Sequence, residues 1–448
     1  MADARQLWYN HVLPGSQQYA LVRAIGRWSL AALVVNSIIG SGIFGLPSDV
    51  ARLIGRSSPW AVLVAGAAAG VIMACFAEVA SQFTQAGGPY LYARAAFGRL
   101  VGIEMGWMLW LVRLAAPAAT ANLFVTYCGE FWAEATKPLP RFLILTFLYG
   151  VLTLINYRGV RASTQVSNVF TVAKLVPLFL VAIAGTFYLM SGHPAAPRLP
   201  AGTGTGVWLK ACLLLVFAYG GFETALTPLS EAKNPRRDAA FALFTALITC
   251  TLLYTAIQWV VIGILPDPGH SERPLADVAR LALGHGGAAF VAAGALVSVV
   301  GYLSANMLGV PRITFALAEN GDFPSIFAAV HPRFRTPYVS IVAFALLSWL
   351  LALLGSFSWN ATLSAVARLL YYGLVCVALP VFRRRQPGAA LFRLPGGTVF
   401  AVLGAGICAV LIAGVNLSGS LILLATALVA FCNWLLVRRG PTPGAFAP

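Results

Sequence analysis

The chain has 448 residues, of which 59% are hydrophobic and only 10% are charged, and its mean hydropathy is +0.81. Soluble globular proteins carry about 25% charged residues, so this composition excludes a soluble enzyme and predicts an all-α polytopic membrane protein. The net charge of +16 does not indicate a nucleic-acid partner, because the Lys and Arg residues fall at the ends of apolar stretches and mark membrane topology.

Apolar windows long enough to cross a bilayer, about 20 residues each, recur along the chain. They predict twelve transmembrane helices, at 29–54, 60–84, 101–130, 141–157, 163–190, 207–231, 239–265, 287–318, 338–355, 359–382, 398–415 and 418–437. The loops on the side of the N-terminus hold more Lys and Arg than the loops on the opposite side. We therefore expect a multi-pass protein of the plasma (inner) membrane with both termini in the cytoplasm.

Two of the predicted helices contain glycines that would interrupt them. The first is interrupted near Gly40-Ser41-Gly42 and the sixth near Ala218-Tyr219-Gly220-Gly221. Because the two helices are five crossings apart, they run in opposite directions through the membrane. Glycines in membrane helices also serve close packing, but two interruptions at matching places are typical of inverted-repeat transporters.

This symmetry divides the chain into two repeats with short additions. The predicted parts are an N-terminal cytoplasmic segment (1–28), a first repeat of helices 1–5 (29–190), a second repeat of helices 6–10 (207–382), a final helix pair (398–437) and a cytoplasmic tail (438–448).

Five segments, in order, resemble the amino acid–polyamine–organocation (APC) superfamily. They are GSGIFGLP at 40–47, AEVASQFTQAGGPYLYARAAFG at 77–98, TVAKLVPL at 171–178, FAYGGFETALTPLSEAKNPRRD at 217–238 and PRITFALAENGDFP at 311–324. The resemblance extends from about Leu30 to Arg385. It implies a LeuT-type fold, a five-plus-five inverted repeat with helices 1 and 6 broken, and an amino acid permease that transports amino acids or related amines.

The interruptions themselves offer a site for a zwitterion. Unwound backbone groups are tolerated in a membrane only where they line a protein cavity, and helix ends carry partial charges. The N–H groups of Ser41, Gly42 and Ile43 are predicted to hold a carboxylate. The ammonium group is expected at carbonyls that end the leading half-helices, those of Ile38, Ile39, Phe217, Ala218 and Gly220. A side chain on Gly42 should obstruct the carboxylate.

Side chains around the interruptions add further candidates. Tyr219 and Phe222 flank the second interruption and either cover the substrate or simply pack in the interior. Lys174 lies deep in the fifth helix, about ten residues from either end. The resemblance implies that it occupies the place of a sodium ion, as in sodium-independent members, bridging carbonyls near Gly40 to the eighth helix near Ser298. The alternative is a purely structural tether.

Charged side chains inside predicted helices are costly and usually face the protein interior. We expect Glu223 to pair with Arg368, or else to face the site and favour cationic substrates. We expect Glu78 to pair with Arg113, on the second and third helices; contact with the substrate is the alternative for these two residues.

These observations predict a secondary active transporter of amino acids that works without sodium, by proton symport or exchange. A polyamine or organic cation transporter and a nutrient receptor with the transporter fold remain alternatives. An intramembrane enzyme is disfavoured because HExxH and GxSxG motifs do not occur. We expect no cofactor, no metal ion and no covalent partner subunit; the partners expected are the substrate, protons and the lipid bilayer.

Overall fold

The structure, a computed structural model, describes residues 26–83, 88–159, 164–192, 204–225, 235–415 and 417–438. The predicted N-terminal segment before residue 26 and the tail beyond residue 438 lie outside the described residues. The described secondary structure is helical throughout, with short 3₁₀ turns between some of the helices. Composition and apolar periodicity had predicted this class.

The α-helices follow one another along the chain with short connections. They are α1 (Arg27–Ile38), α2 (Gly42–Ile54), α3 (Ser58–Ala80), α4 (Gly88–Phe97), α5 (Arg99–Cys128), α6 (Pro138–Arg158), α7 (Thr164–Met190), α8 (Thr205–Tyr219), α9 (Phe222–Ala225), α10 (Pro235–Ile264), α11 (Pro274–Glu319), α12 (Tyr338–Leu354), α13 (Phe357–Arg385), α14 (Gly397–Ala413) and α15 (Leu417–Val437).

Eight helical segments of the described chain are long and apolar enough to cross a membrane. Three shorter apolar helices accompany them, at Lys174–Met190, Tyr338–Leu354 and Gly397–Ala413. Together they identify an integral membrane protein. The finer count of twelve crossings stays a prediction.

The predicted interruptions fall at the ends of helices. Helix α1 ends at Ile38 and α2 begins at Gly42, whereas α8 ends at Tyr219 and α9 begins at Phe222. Helix α2 packs against α8, and α9 packs against α1. Each half of one interrupted helix therefore contacts a half of the other, and the two interruptions meet inside the protein.

Longer helices enclose this pair. Helix α10 packs along α1 and α3, α13 packs along α5 and α14, and α11 packs along α7 and α5. Helix α1 presents Leu30, Val34 and Ile38, four residues apart, to the core. The outer faces of α6 and α15 expose large apolar side chains such as Phe147 and Leu436, as expected of surfaces that contact lipid.

Glu78 does not pair with Arg113, so this prediction was wrong. The fully buried Glu78 carboxylate accepts hydrogen bonds from Arg383 Nε (2.6 Å) and Nη2 (2.7 Å), and from the Leu394 N–H (2.8 Å). The prediction rested on two charges in neighbouring predicted helices, which would be costly if unpaired. Being on neighbouring helices does not determine which face a side chain lies on, and Glu78 faces the last turn of α13 instead.

A second buried carboxylate ties helix ends together nearby. Asp322, which follows α11, contacts Arg94 of α4 and lies 3.0 Å from Arg99 Nε of α5. The Asp322 carbonyl also accepts a hydrogen bond from Asn433 Nδ2 (2.7 Å). Both buried carboxylates thus have cationic partners, which offset the cost of removing a charge from water.

We expect Arg383→Ala to destabilise the protein more than Glu78→Gln does. The first change leaves a buried carboxylate without its cation, at a cost of about 3 kcal/mol. The second removes the charge and keeps an acceptor for the Leu394 N–H. Melting temperatures in detergent measure the difference, with Arg384→Ala at an exposed position as the matched control. Equal melting temperatures for Arg383→Ala and Arg384→Ala would contradict the prediction.

Candidate functional site

A cavity of about 880 Å³ lies where the two interruptions meet. Its walls come from α1, α2, α5, α6, α7, α8, α9, α11 and α13. The sequence-predicted residues that line it are Ile38, Ile39, Gly40, Ser41, Gly42, Phe217, Gly220, Lys174, Ser298, Arg113 and Arg368. Ile43, Ala218, Tyr219, Phe222 and Glu223 lie close by in sequence or space but are not part of this wall.

The first interruption leaves backbone donors without partners. In the described residues, no acceptor is recorded for the N–H groups of Ser41, Gly42 and Ile43. The Ser41 hydroxyl does not cap α2; it lies 2.8 Å from Thr120 Oγ1 instead. The start of α2 therefore presents free N–H groups and the positive end of a helix beside the cavity, an arrangement that suits an anion.

The carbonyls expected to hold an ammonium group already have donors. The Tyr254 hydroxyl of α10 lies 3.1 Å from the Ile38 carbonyl and 3.3 Å from that of Ala218. The Phe217 carbonyl accepts the Gly220 N–H at 3.3 Å. A carbonyl has two lone pairs, so these groups retain some accepting capacity. Donors within the protein nevertheless satisfy most of the carbonyls that were expected to hold the ammonium group.

Sequence reasoning missed Tyr254. Its hydroxyl joins the ends of α1 and α8, so one side chain ties the two interruptions together. A tyrosine in the middle of the apolar stretch TLLYTAIQW was the available signal, since a buried hydroxyl needs a hydrogen-bond partner.

Lys174 of α7 reaches the end of α1. Its Nζ donates to the carbonyls of Asn36 (2.5 Å) and Ile39 (2.8 Å). Ser298 of α11 lines the same cavity, but the recorded hydrogen bonds of Lys174 do not include it. The ammonium group thus lies against two carbonyls at the end of α1, beside the first interruption.

Two glycines allow the interruptions to approach each other. A Cβ on Gly42 would lie 2.9 Å from Ala218 Cα, which is closer than packed atoms come. Gly221 has a φ of 106°, and a Cβ there would collide with the Ser37 carbonyl oxygen. A side chain on Gly42 would therefore meet α8 before it could obstruct a ligand. Gly40 differs, because the nearest atom to a Cβ there is 3.9 Å away.

The two aromatic candidates pack away from the cavity. Tyr219 Oη donates to the Val62 carbonyl at 2.9 Å. Phe222 packs edge-on against Phe76 and tilted against Tyr372, with ring centroids 5.1 Å apart in each pair. In this arrangement both serve interior packing, which was the alternative to covering a substrate.

Glu223 lies just behind the cavity wall and is fully engaged. Its Oε1 lies 3.5 Å from Arg368 Nε and accepts from Tyr371 (2.9 Å), while Oε2 accepts from Tyr372 (2.8 Å) and the Gly221 N–H (3.0 Å). The expected contact with Arg368 is present in the structure. A carboxylate with this many partners has little capacity left for a cationic ligand.

Arg113 lines the cavity next to this cluster. Its Nη2 donates to Thr224 Oγ1 at 2.6 Å, and Thr224 also lines the cavity. The Nε of Arg113 is buried without an acceptor in the described residues. Arg113 therefore carries a charge at the cavity wall and not, as predicted, in a pair with Glu78.

We expect Gly42→Ala to lower stability and abolish ligand binding, because the added methyl group would force α2 and α8 apart. Overpacking of this kind costs about 1–3 kcal/mol. The matched control is Gly206→Ala in the first turn of α8, where no atom lies within 4 Å of the new Cβ. Melting temperatures in detergent and ligand-induced shifts measure both effects. A Gly42→Ala variant as stable as Gly206→Ala would refute the close approach.

Comparison with known proteins places the chain in a family. Residues 25–433 match the model of the amino acid permease family. The branched-chain amino acid permease BcaP of Bacillus subtilis is 29% identical over 391 residues, which cover 83% of each chain. The methylthioribose transporter of Bacillus subtilis is 28% identical, over 83% of this chain and 84% of that protein.

A plant protein is similar at a comparable level. Cationic amino acid transporter 4, vacuolar, of Arabidopsis thaliana is 26% identical over 399 residues, which cover 84% of this chain and 66% of that protein. These relatives are transporters, in agreement with the apolar helices and the internal cavity. The chain belongs to the amino acid permease family of the APC superfamily.

Proposed function

We propose that the chain is a secondary active transporter that moves amino acids across the membrane by alternating access. It works without sodium, by proton symport or exchange. Its twelve crossings form a LeuT-type fold in which helices 1–5 and 6–10 are inverted repeats. The positions of the two interruptions, at matching places in the two halves, support this architecture.

One observation carries the proposal: the free N–H groups of Ser41, Gly42 and Ile43 lie beside a cavity between the two interrupted helices. Every amino acid has an α-carboxylate, and unpaired donors at a helix start bind such a group without a cationic side chain. Water that enters the cavity can pair with these N–H groups. A bound carboxylate would replace that water with charge-assisted hydrogen bonds, which are shorter and stronger.

Lys174 supports the absence of a sodium requirement. Its ammonium group already occupies the carbonyls of Asn36 and Ile39 at the first interruption. A cation held by a covalent tether keeps the end of α1 in place without an ion from solution. Because Lys174 joins α7 to α1, a change in its protonation would alter a contact between two helices that line the cavity, and this would couple protons to transport.

The cavity reaches toward one side of the membrane. Leu152 and Asn156, from the second half of α6, and Ile313, from the second half of α11, line it. By the charge pattern this is the cytoplasmic side. On the opposite side Gly45 packs on the Phe357 ring, where a Cβ would lie 2.5 Å from a ring atom. We interpret the arrangement as an inward-facing step of alternating access in a plasma-membrane protein.

A transporter of polyamines or other organic cations fits the cavity less well. Lys174, Arg113 and Arg368 line it, and its described lining contains no Asp or Glu. A dication would be repelled by these charges in a medium of low dielectric constant. A receptor that binds without turnover would have the same site, so transport itself has to be measured.

We expect the purified chain in liposomes to show saturable amino acid counterflow, because the cavity is built to bind and release its ligand. Uptake should be unchanged when choline replaces sodium. An inward proton gradient should stimulate net uptake if the transporter is a symporter, and leave exchange unaffected if it is an exchanger. Binding without counterflow would support the receptor alternative, and counterflow that requires sodium would contradict the ionic mechanism.

We expect Lys174→Ala to reduce transport at least about tenfold, because the carbonyls of Asn36 and Ile39 lose their shared donor. The matched control is Lys210→Ala, which removes an exposed lysine from the start of α8. Uptake into liposomes with and without sodium measures both variants. Lys174→Ala transport equal to that of Lys210→Ala would refute a coupling role.

A further inference from the structure

We propose that the substrate is an amino acid with an anionic side chain, a dicarboxylic amino acid, whose second carboxylate binds Arg113 and Arg368. This inference rests on the proposed function and narrows its substrate class. The sequence alone left neutral and cationic amino acids open. The charges of the cavity wall favour neither.

The charge balance of the described cavity wall is positive. Lys174, Arg113 and Arg368 line it, and the nearest carboxylate, Glu223, lies behind Arg368 at 3.5 Å. One negative charge against three positive charges leaves an excess of two. Charges of this kind are expensive inside a membrane protein unless they are paired. An anionic ligand would supply the missing partner.

The two arginines also have unused donors. No hydrogen bond from any nitrogen of Arg368 is recorded in the described chain, although its side chain is only 6% exposed and its Nε is fully buried. Arg113 makes a single hydrogen bond, from Nη2 to Thr224, and its Nε is buried and unsatisfied. Guanidinium groups bind carboxylates through two parallel hydrogen bonds. Because both Nε atoms are buried in the wall, the Nη groups are the donors that would meet a carboxylate in the cavity.

Lys174 and Glu223 are not available for this task. The Lys174 ammonium is bound to the carbonyls of Asn36 and Ile39. The Glu223 carboxylate accepts hydrogen bonds from Tyr371, Tyr372 and the Gly221 N–H. Among the charged side chains of the described cavity wall, the two arginines are therefore the ones with donors left for a ligand, beside the free N–H groups at the start of α2.

These two sets of donors come from different parts of the wall. The free N–H groups of Ser41 and Gly42 belong to the first interruption. Arg368 lies against Gly220 and Arg113 bonds Thr224, so both arginines belong to the second. A dicarboxylic amino acid can place its α-carboxylate at the first set and its side-chain carboxylate at the second, and it would bridge the two interrupted helices.

The test compares each acid with its own amide, which has nearly the same shape without the charge, and adds neutral and cationic substrates for reference. Purified wild-type chain in liposomes is assayed with radiolabelled glutamate and aspartate, and with glutamine, asparagine, leucine, lysine and putrescine. We expect glutamate or aspartate to be taken up, and to compete at least about tenfold better than its own amide. The amide keeps the shape and loses the charge that a guanidinium group pairs with.

A variant assigns the preference to the cavity wall. Arg113→Gln can keep the hydrogen bond to Thr224 but removes the charge, so it should lose most of the discrimination between each acid and its amide. Arg113→Lys should retain part of it. Arg56→Gln, which removes an exposed arginine outside the cavity lining, should leave discrimination unchanged. The wild-type comparison decides the proposal even if a variant fails to fold.

The outcomes separate this inference from the proposed function. Preference for leucine, for the amides, or for lysine would overturn the dicarboxylic substrate and leave amino acid transport intact. Transport of none of the amino acids would overturn both proposals. If Arg113→Gln prefers each acid over its amide as strongly as the wild type does, Arg113 does not bind the side-chain carboxylate.

Discussion

Backbone groups that two interrupted helices release must find partners inside the protein, because lipid offers none, and this constraint organises the centre of the protein. The Tyr254 hydroxyl lies between the carbonyls of Ile38 and Ala218, and Lys174 binds those of Asn36 and Ile39. The carbonyl groups are thus largely satisfied from within. The N–H groups at the start of α2 are not satisfied, so the site offers free donors but few free acceptors.

The free N–H groups and the charged side chains of the wall together give the cavity a positive electrostatic character. Three cationic side chains line it, each from a different helix: Arg113 from α5, Lys174 from α7 and Arg368 from α13. The carboxylate of Glu223 follows the second interruption directly and connects it to α13 through Arg368 and two tyrosines. The contacts that a ligand makes with these side chains would depend on the relative positions of the helices that carry them. Alternating access requires such a dependence.

Buried charges outside the cavity lining also join helices to one another. Glu78 joins α3 to the end of α13 through Arg383, and Asp322 joins the end of α11 to α4 and α5. Each places a carboxylate with no exposure beside a cation that is partly exposed. Such pairs contribute to fixing which helix ends meet. Among the described residues, the arginines of the cavity are less fully paired: Arg368 lies 3.5 Å from Glu223, and Arg113 donates one recorded hydrogen bond, to Thr224.

Local features of the sequence were sufficient for much of this account. Apolar length predicted the helices, and glycines predicted where α1 and α8 end, because both depend on short stretches of chain. The depth of Lys174 also followed from the local sequence, because it lies about ten residues from either end of an apolar stretch. Only the tertiary structure decided that Glu78 meets Arg383 rather than Arg113, that Tyr254 joins the interruptions, and that Tyr219 and Phe222 face away from the cavity. Position along a helix fixes depth, whereas packing against distant helices fixes the direction in which a side chain points.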